Sequence, residues 1–322
     1  MTQTIDWPTV LAEVERRITP ERGKGRVATY IPALARVDPN HFGLAVALPD
    51  GQLFTVGDAH VPFSLQSISK VFTLALALER VGDELWQRVG REPSGSAFHS
   101  IVLLEAEQGK PRNPLINAGA IATTDHLVQA HGGNRAAAQA VLRDLVAFLE
   151  PLAEHGPIAI DAEVAASESE AGARNRALAH FMAGFGVLRS PVEDALHAYF
   201  HHCALAMSPA QLARAARFLA CDGVDPHSGR RIVTASRCRR ILALMMTCGH
   251  YDNSGDFAWR IGLPGKSGVG GGILCIAPGQ AAIAVWSPGL NAAGTSEVGA
   301  LALEALVAQT GLSVFGGGEM HL

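Results

Sequence analysis

Phe63-Ser64-Leu65-Gln66-Ser67-Ile68-Ser69-Lys70, continuing as Val71-Phe72-Thr73-Leu74-Ala75-Leu76-Ala77-Leu78-Glu79-Arg80, is the stretch on which the rest of the chain turns. After Ser67 it is apolar almost all round, the pattern of a helix buried on every side rather than an amphipathic surface helix. A lysine inside such a helix is costly unless it has a partner or a task. Ser67 precedes Lys70 by three residues, which predicts that their side chains are neighbours on one helix face. Desolvation lowers the pKa of an amine, and a neutral amine can take the proton of a hydroxyl beside it. The pair is therefore one of the few ways to make a serine nucleophilic without histidine. Ser-x-x-Lys alone is a common pattern with no chemistry attached, so the surrounding sequence has to decide.

A chain of 322 residues suits about two domains, and a hydrophobic content of 48%, inflated somewhat by alanine, supports a substantial core. The formal net charge of -4 gives no basis for nucleic acid or an anionic membrane as partner. Five cysteines (Cys203, Cys221, Cys238, Cys248 and Cys275) are odd in number and lack Cys-x-x-Cys spacing, which disfavours a disulfide framework and a structural zinc site. Met1 to Arg26 is polar and charged without the apolar core of a signal peptide, and no apolar run reaches membrane-spanning length. The expectation is a soluble, cytoplasmic protein.

Thr4 to Ile18 carries Val10, Leu11, Val14 and Ile18 on one stripe and is stopped by Pro20, a helix. Phe42 to Leu48 and Gln52 to Val56 read as a hairpin around Pro49-Asp50-Gly51. Helices are predicted over Arg135 to Leu149, Ala173 to Phe185, Val192 to His202, Pro209 to Leu219 and Ser236 to Met246. Strand patterns return at Gly272 to Ala277 and Ala281 to Ser287, joined by Pro278-Gly279-Gln280, and Gly294 to Gln309 closes as a helix. Ala162 to Ala173 has the Ala/Glu/Ser-rich composition of a linker. Strands at both ends, arranged as hairpins rather than βαβ repeats, predict an α+β fold with an antiparallel sheet flanked by helices. The sheet domain would comprise residues 1–65 and 250–322, with an all-helical domain, 66–249, inserted into it.

Gly262-Leu263-Pro264-Gly265-Lys266-Ser267-Gly268-Val269-Gly270-Gly271-Gly272 nearly matches a phosphate-binding loop. Arg260 stands where that loop needs glycine, and a strand follows instead of a helix, so the nucleotide reading fails twice. Lys266-Ser267-Gly268 on a strand downstream of Ser-x-x-Lys has another meaning. With serine or threonine in the middle, the pair is the signature of serine β-lactamases and penicillin-binding proteins. There the strand lines the site and offers a backbone N–H to the oxyanion.

A closer resemblance rests on Glu92-Pro93-Ser94-Gly95, Asn113-Pro114-Leu115-Ile116-Asn117-Ala118-Gly119-Ala120, and Ser167-Glu168 with Arg174-Asn175. It continues through Tyr199-Phe200-His201-His202-Cys203, Thr247-Cys248-Gly249-His250-Tyr251-Asp252 and Lys266 to Ile273. Over nearly its whole length the chain resembles the bacterial serine-dependent glutaminases, whose fold is β-lactamase/transpeptidase-like. The resemblance implies Ser67 as nucleophile and Lys70 as its activating partner, with Tyr251 as a further proton carrier. It implies Asn117, Glu168, Asn175, Tyr199, Tyr251 and the backbone of Val269 around the substrate, and Lys266 in support. It also implies L-glutamine as substrate, no metal or organic cofactor, and a homodimer or homotetramer. His99 where asparagine is expected, and Ala204 where serine often follows the cysteine, depart from the family pattern.

The implied chemistry is sound from the residues up. Glutamine is a zwitterion with a neutral amide at its far end. An acidic group suits its ammonium, and neutral or cationic donors suit its carboxylate. Glu168 answers the first need; Asn117, Asn175 and Tyr199 answer the second. The rivals are a β-lactamase or peptidase of the same fold, which would act outside the cytoplasm, and an inactive amino-acid-binding protein, which would not need a serine–lysine pair. His201, His202 and Cys203 are adjacent rather than spaced on one face, so they do not suggest a metal. Arg230, Arg231, Arg237, Arg239 and Arg240 read as a solvated face or subunit contact.

Overall fold

A computed structural model of the chain describes residues 5–94 and 101–316. Two positions of the resemblance, Gly95 and His99, lie outside the described residues. The strands are β1 Gly43–Ala47, β2 Leu53–Gly57, β3 Phe63–Ser64, β4 Ala159–Ile160, β5 Leu205–Met207, β6 Gly265–Ser267, β7 Gly272–Ala277 and β8 Ala281–Trp286. Five of them form one antiparallel sheet ordered β2-β1-β8-β7-β6, and a smaller antiparallel sheet is ordered β3-β5-β4. The two terminal regions thus meet where β1 pairs with β8, Gly43 opposite Trp286. The fold is α+β, with the antiparallel sheet flanked by helices.

Strand side chains alternate between faces, and here both faces are buried. Leu44, Val46, Ile273, Cys275, Ile283 and Val285 point to one core, shared with the Trp7–Ile18 and Glu297–Thr310 helices. Ala45, Ala47, Leu274, Ile276, Ala282 and Ala284 point to the other, shared with the central helices. Alanine dominates this second face, which lets the Pro209–Ala215 helix lie close with its own Ala210 and Ala213. Each large aliphatic side chain so buried contributes about 1.5–3 kcal/mol. Among the described residues, no helix is long and apolar enough to cross a membrane.

The predicted helices occur with ends shifted by a few residues, as Trp7–Ile18, Arg135–Ala153, Ala173–Gly184, Val192–Cys203, Ala235–Cys248 and Glu297–Thr310. Three readings need correction. The linker-like stretch is a helix, Ala162–Glu170, because Asp161 caps it by accepting from Glu163 N and Val164 N. The predicted Pro209 to Leu219 helix breaks at Ala216 into Pro209–Ala215 and Arg217–Ala220. Ser67 is not inside the long helix: a 3-10 turn, Gln66–Ile68, precedes the helix Ser69–Arg80.

Candidate active site

The turn that displaces Ser67 also presents it. Gln66 has φ +51, a left-handed conformation that typically costs roughly 1–3 kcal/mol in a non-glycine residue. Its carbonyl accepts from Ser69 Oγ at 2.7 Å, and the preceding Leu65 N–H donates to Leu205 O at 2.8 Å. The chain leaves β3, bends at Gln66 and enters the helix with Ser67 at its mouth. Lys70 follows as the second helical residue, 1% exposed. Its Nζ donates to Asn117 Oδ1 at 2.7 Å and Leu115 O at 3.4 Å, and lies 5.9 Å from the Tyr199 ring centroid. Burial lowers its pKa to about 8, with Cys203 and Glu168 opposing. The single hydrophobic helix expected from the sequence thus delivers a desolvated amine close behind the serine turn.

Asn117 opens the helix Asn117–Ala130. Asn113 Oδ1 accepts from Leu115 N and Ile116 N at 3.0 and 3.1 Å, shaping the turn that feeds it. Gly119 lets the helix press on that turn: a Cβ there would stand 1.7 Å from Asn113 O. Asn117 Nδ2 then donates to Asn175 Oδ1 at 3.0 Å, which joins two predicted substrate contacts into one unit. Glu168 projects from the Ala162–Glu170 helix and is buried. Burial raises its pKa to about 7, while Lys70 and a hydrogen bond from Gln66 pull it down. Tyr199 is buried on the Val192–Cys203 helix, and burial holds its phenol well above the usual range.

The remaining wall comes from the last third of the chain. Gly249 packs directly on β6, where a Cβ would stand 1.8 Å from Gly265 O. Lys266 on β6 is fully buried, and its Nζ donates to Gly249 O at 2.9 Å and Ser267 O at 2.6 Å. Burial and then Lys70 push its pKa far down. Its Nζ sits 4.6 Å from the centroid of the Tyr251 ring. Tyr251 is itself left-handed, with φ +55. Burial raises its phenol to about 12, with the side chains of Ser67 and Ser267 opposing. Gly268 and Gly270 bring the turn holding Val269 against β3, since a Cβ on either would meet Leu65 O at 2.4 Å or Ser64 O at 2.2 Å.

These segments enclose a cavity of about 290 Å³. Ser67, Asn117, Glu168, Asn175, Tyr199, Tyr251 and Val269 all line it. Lys70 and Lys266 stand behind the wall, against Asn117 and Tyr251. The volume lies at the small end of the roughly 300–1,000 Å³ range of ligand pockets. Tyr30, Gln66, Arg174 and Cys203 line it too. Arg174 was visible as the neighbour of Asn175, whereas Tyr30 lies in a loop with no sequence signal. His202 is buried away from the wall, between Ser69 Oγ at 2.8 Å and Thr124 Oγ1 at 3.1 Å. Among the described residues, no three His, Cys, Asp or Glu side chains are placed to share a metal ion.

An α+β frame with a small cavity, lined by a serine, a carboxylate and three tyrosines and backed by two desolvated lysines, suits an enzyme for small polar substrates. Residues 25–315 match the glutaminase family profile. A glutaminase of Sinorhizobium fredii is 58% identical over 311 residues, 97% of each chain. One from Rhodopseudomonas palustris is 59% identical over 307 residues, 95% of this chain and 97% of its own. Among solved structures, a probable glutaminase from Bacillus subtilis complexed with 6-diazo-5-oxo-L-norleucine aligns with TM-score 0.86 and 32% identity over 97% of this chain and 98% of that one. The chain belongs to the glutaminase family.

Proposed function

We propose that the protein hydrolyses L-glutamine to L-glutamate and ammonia through a γ-glutamyl ester on Ser67, on a β-lactamase-like frame. The observation that carries this reading is the convergence of Ser67 and Glu168 on one amino-acid-sized cavity with Lys70 desolvated behind it. Glu168 receives the substrate ammonium; Asn117, Asn175 and Tyr199 receive the carboxylate. Ser67 Oγ attacks the side-chain amide carbon and its proton passes to neutral Lys70, directly or through Tyr251. That Ser67 and Tyr251 line the same cavity supports the relayed route. Backbone N–H groups of Ser67 and Val269 stabilise the oxyanion, each worth roughly 3 kcal/mol by the usual cost of losing such a donor. The proton returns to the nitrogen, ammonia leaves, and water cleaves the ester by the reverse relay. The ligand of the Bacillus subtilis structure adds support, since its name describes an amino acid of glutamine's length with a diazomethyl ketone in place of the amide.

The same reading includes a sheet domain, 1–65 and 250–322, around a helical domain, 66–249, in a cytoplasmic homodimer or homotetramer.

Ammonia release from L-glutamine, with L-asparagine and a chromogenic cephalosporin in parallel, tests the reaction. Glutamine turnover is expected in the native chain and is lost in Ser67→Ala, which still binds glutamine in calorimetry. Near-native hydrolysis by Ser67→Ala removes Ser67 as nucleophile. Cephalosporin cleavage without glutaminase activity moves the protein to the β-lactamase branch.

A further inference from the structure

We infer that Ser254 is a positioning residue for catalysis: its hydroxyl locks Tyr251 in the strained backbone conformation that aims the phenol at Ser67. The inference rests on the part assigned to Tyr251 above. Tyr251, at φ +55, occupies a region that residues with a Cβ enter rarely, so something nearby must hold it there. Ser254 is buried, 5% exposed. Its Oγ accepts from His250 N–H at 3.0 Å and donates to Tyr251 C=O at 3.1 Å. One hydroxyl therefore ties together peptide groups on either side of the His250–Tyr251 pair, using both its donor and an acceptor lone pair.

The rest of the turn is fixed at its entry and leaves the exit to Ser254. Gly249 O accepts from Lys266 Nζ at 2.9 Å and Ser267 N at 3.2 Å, pinning the entry to β6. His250 stacks on Phe257 with ring centroids 3.4 Å apart, and Asn253 N–H closes the turn on His250 O at 3.0 Å. None of these contacts touches the Tyr251 carbonyl, whose orientation sets the turn beyond it. Ser254 is also the first residue of the Ser254–Ile261 helix, whose N-cap, Asn253, makes no side-chain capping bond. The hydroxyl at this end thus serves the turn rather than the helix. Without it, Tyr251 can relax toward negative φ, which swings the phenol away from Ser67 and Ser267.

The test is a double-mutant cycle read in kcat/KM for L-glutamine, with a crystal structure beside it. Ser254→Ala is expected to lose roughly tenfold to a hundredfold in the native background, the scale of a misplaced catalytic group. In the Tyr251→Phe background it should lose less than about twofold, because the group it positions is already gone. Ser254→Thr, which keeps the hydroxyl, should restore most of the rate. The Ser254→Ala structure should show Tyr251 out of the left-handed region; Ser254→Cys, closer in volume but a poor donor, replaces it if the alanine variant does not fold. Equal losses in both backgrounds, or Tyr251 still near its native φ in the variant, overturn the inference. A Tyr251→Phe enzyme as fast as the native one would instead defeat the relay proposed for Tyr251, and the φ of Tyr251 in the Ser254 variant would still decide the role of Ser254.

Discussion

Glu168 and Lys70 are each held away from their ordinary pKa by burial, in opposite directions, and both become competent for the reaction as pH rises. Glu168, raised to about 7, must be ionised to hold an ammonium group, so it is competent above that pH and lost below it. Lys70, lowered to about 8, must be neutral to accept a proton, so it too becomes competent as pH rises. Two ascending limbs follow: KM for glutamine should climb as pH falls through about 7, and kcat/KM, which reports the free enzyme, should rise through about 7 and again through about 8. Glu168→Gln removes the first limb. Its KM should be raised roughly tenfold to a hundredfold, the worth of a charged hydrogen bond of about 1.5–3 kcal/mol, and should be flat across that range. Steady-state kinetics from about pH 5.5 to about pH 9.5, a span reaching beyond both groups, separates the limbs. An unchanged KM in Glu168→Gln would sink the ammonium anchor.

Helix placement decides whether those residues meet, and the Asn117–Ala130 helix shows how tight the tolerance is. Gly119 leaves no room for a methyl group beside Asn113 O, so Gly119→Ala must push the helix off its turn. Overpacking of this kind costs about 1–3 kcal/mol, and the displaced Asn117 should loosen its bonds to Lys70 and Asn175. Lower thermal stability together with a fall in kcat/KM is expected; a native melting point with native activity would show that the helix has slack. This element also marks what the sequence hid. It is buried on almost every side, so it carries no apolar period to read, although its motif was recognisable. The strands β7 and β8 were legible nearly to the residue, because continuous apolar runs flank a Pro-Gly turn. The β3-β5-β4 sheet was not, since strands of two or three residues pair across some 140 positions, Phe63 with Met207, and leave no local trace. The Ala162–Glu170 stretch misled by composition: its alanines and glutamates are good helix formers once Asp161 caps them. Ser67 and Lys70 stood out only once their spacing was joined to the downstream Lys266-Ser267-Gly268 and the family motifs, whereas Gln66 and Ser254 act through backbone conformation, which residue type does not reveal.

At the scale of the whole molecule, the sheet stands between two apolar cores, and the site draws on residues from both ends of the chain as well as its middle. Such a frame can absorb groups that work against folding, and Lys70 is one of them. An unfolded lysine keeps its proton up to about pH 10.5, whereas Lys70 in the fold gives it up near 8. The folded state therefore binds fewer protons across that window, and stability rises with pH through it. Below pH 8 the full penalty applies, about 3 kcal/mol, because each pH step between the two values is worth about 1.36 kcal/mol. Lys70→Met removes that penalty but leaves Asn117 Oδ1 without its donor, a loss of about 1 kcal/mol. The variant should be inactive yet more stable than the native chain at pH 7, by about 2 kcal/mol in urea unfolding. Its advantage should shrink as pH rises through the window and reverse before its upper end, where the native lysine is neutral in both states and only the lost bond to Asn117 still counts. A variant less stable than the native chain at pH 7 would mean that the charged lysine is solvated or paired well enough in the fold to cost nothing. In that case a general base with a lowered pKa would lose its physical ground, because the same desolvation that destabilises the protein is what makes the amine reactive.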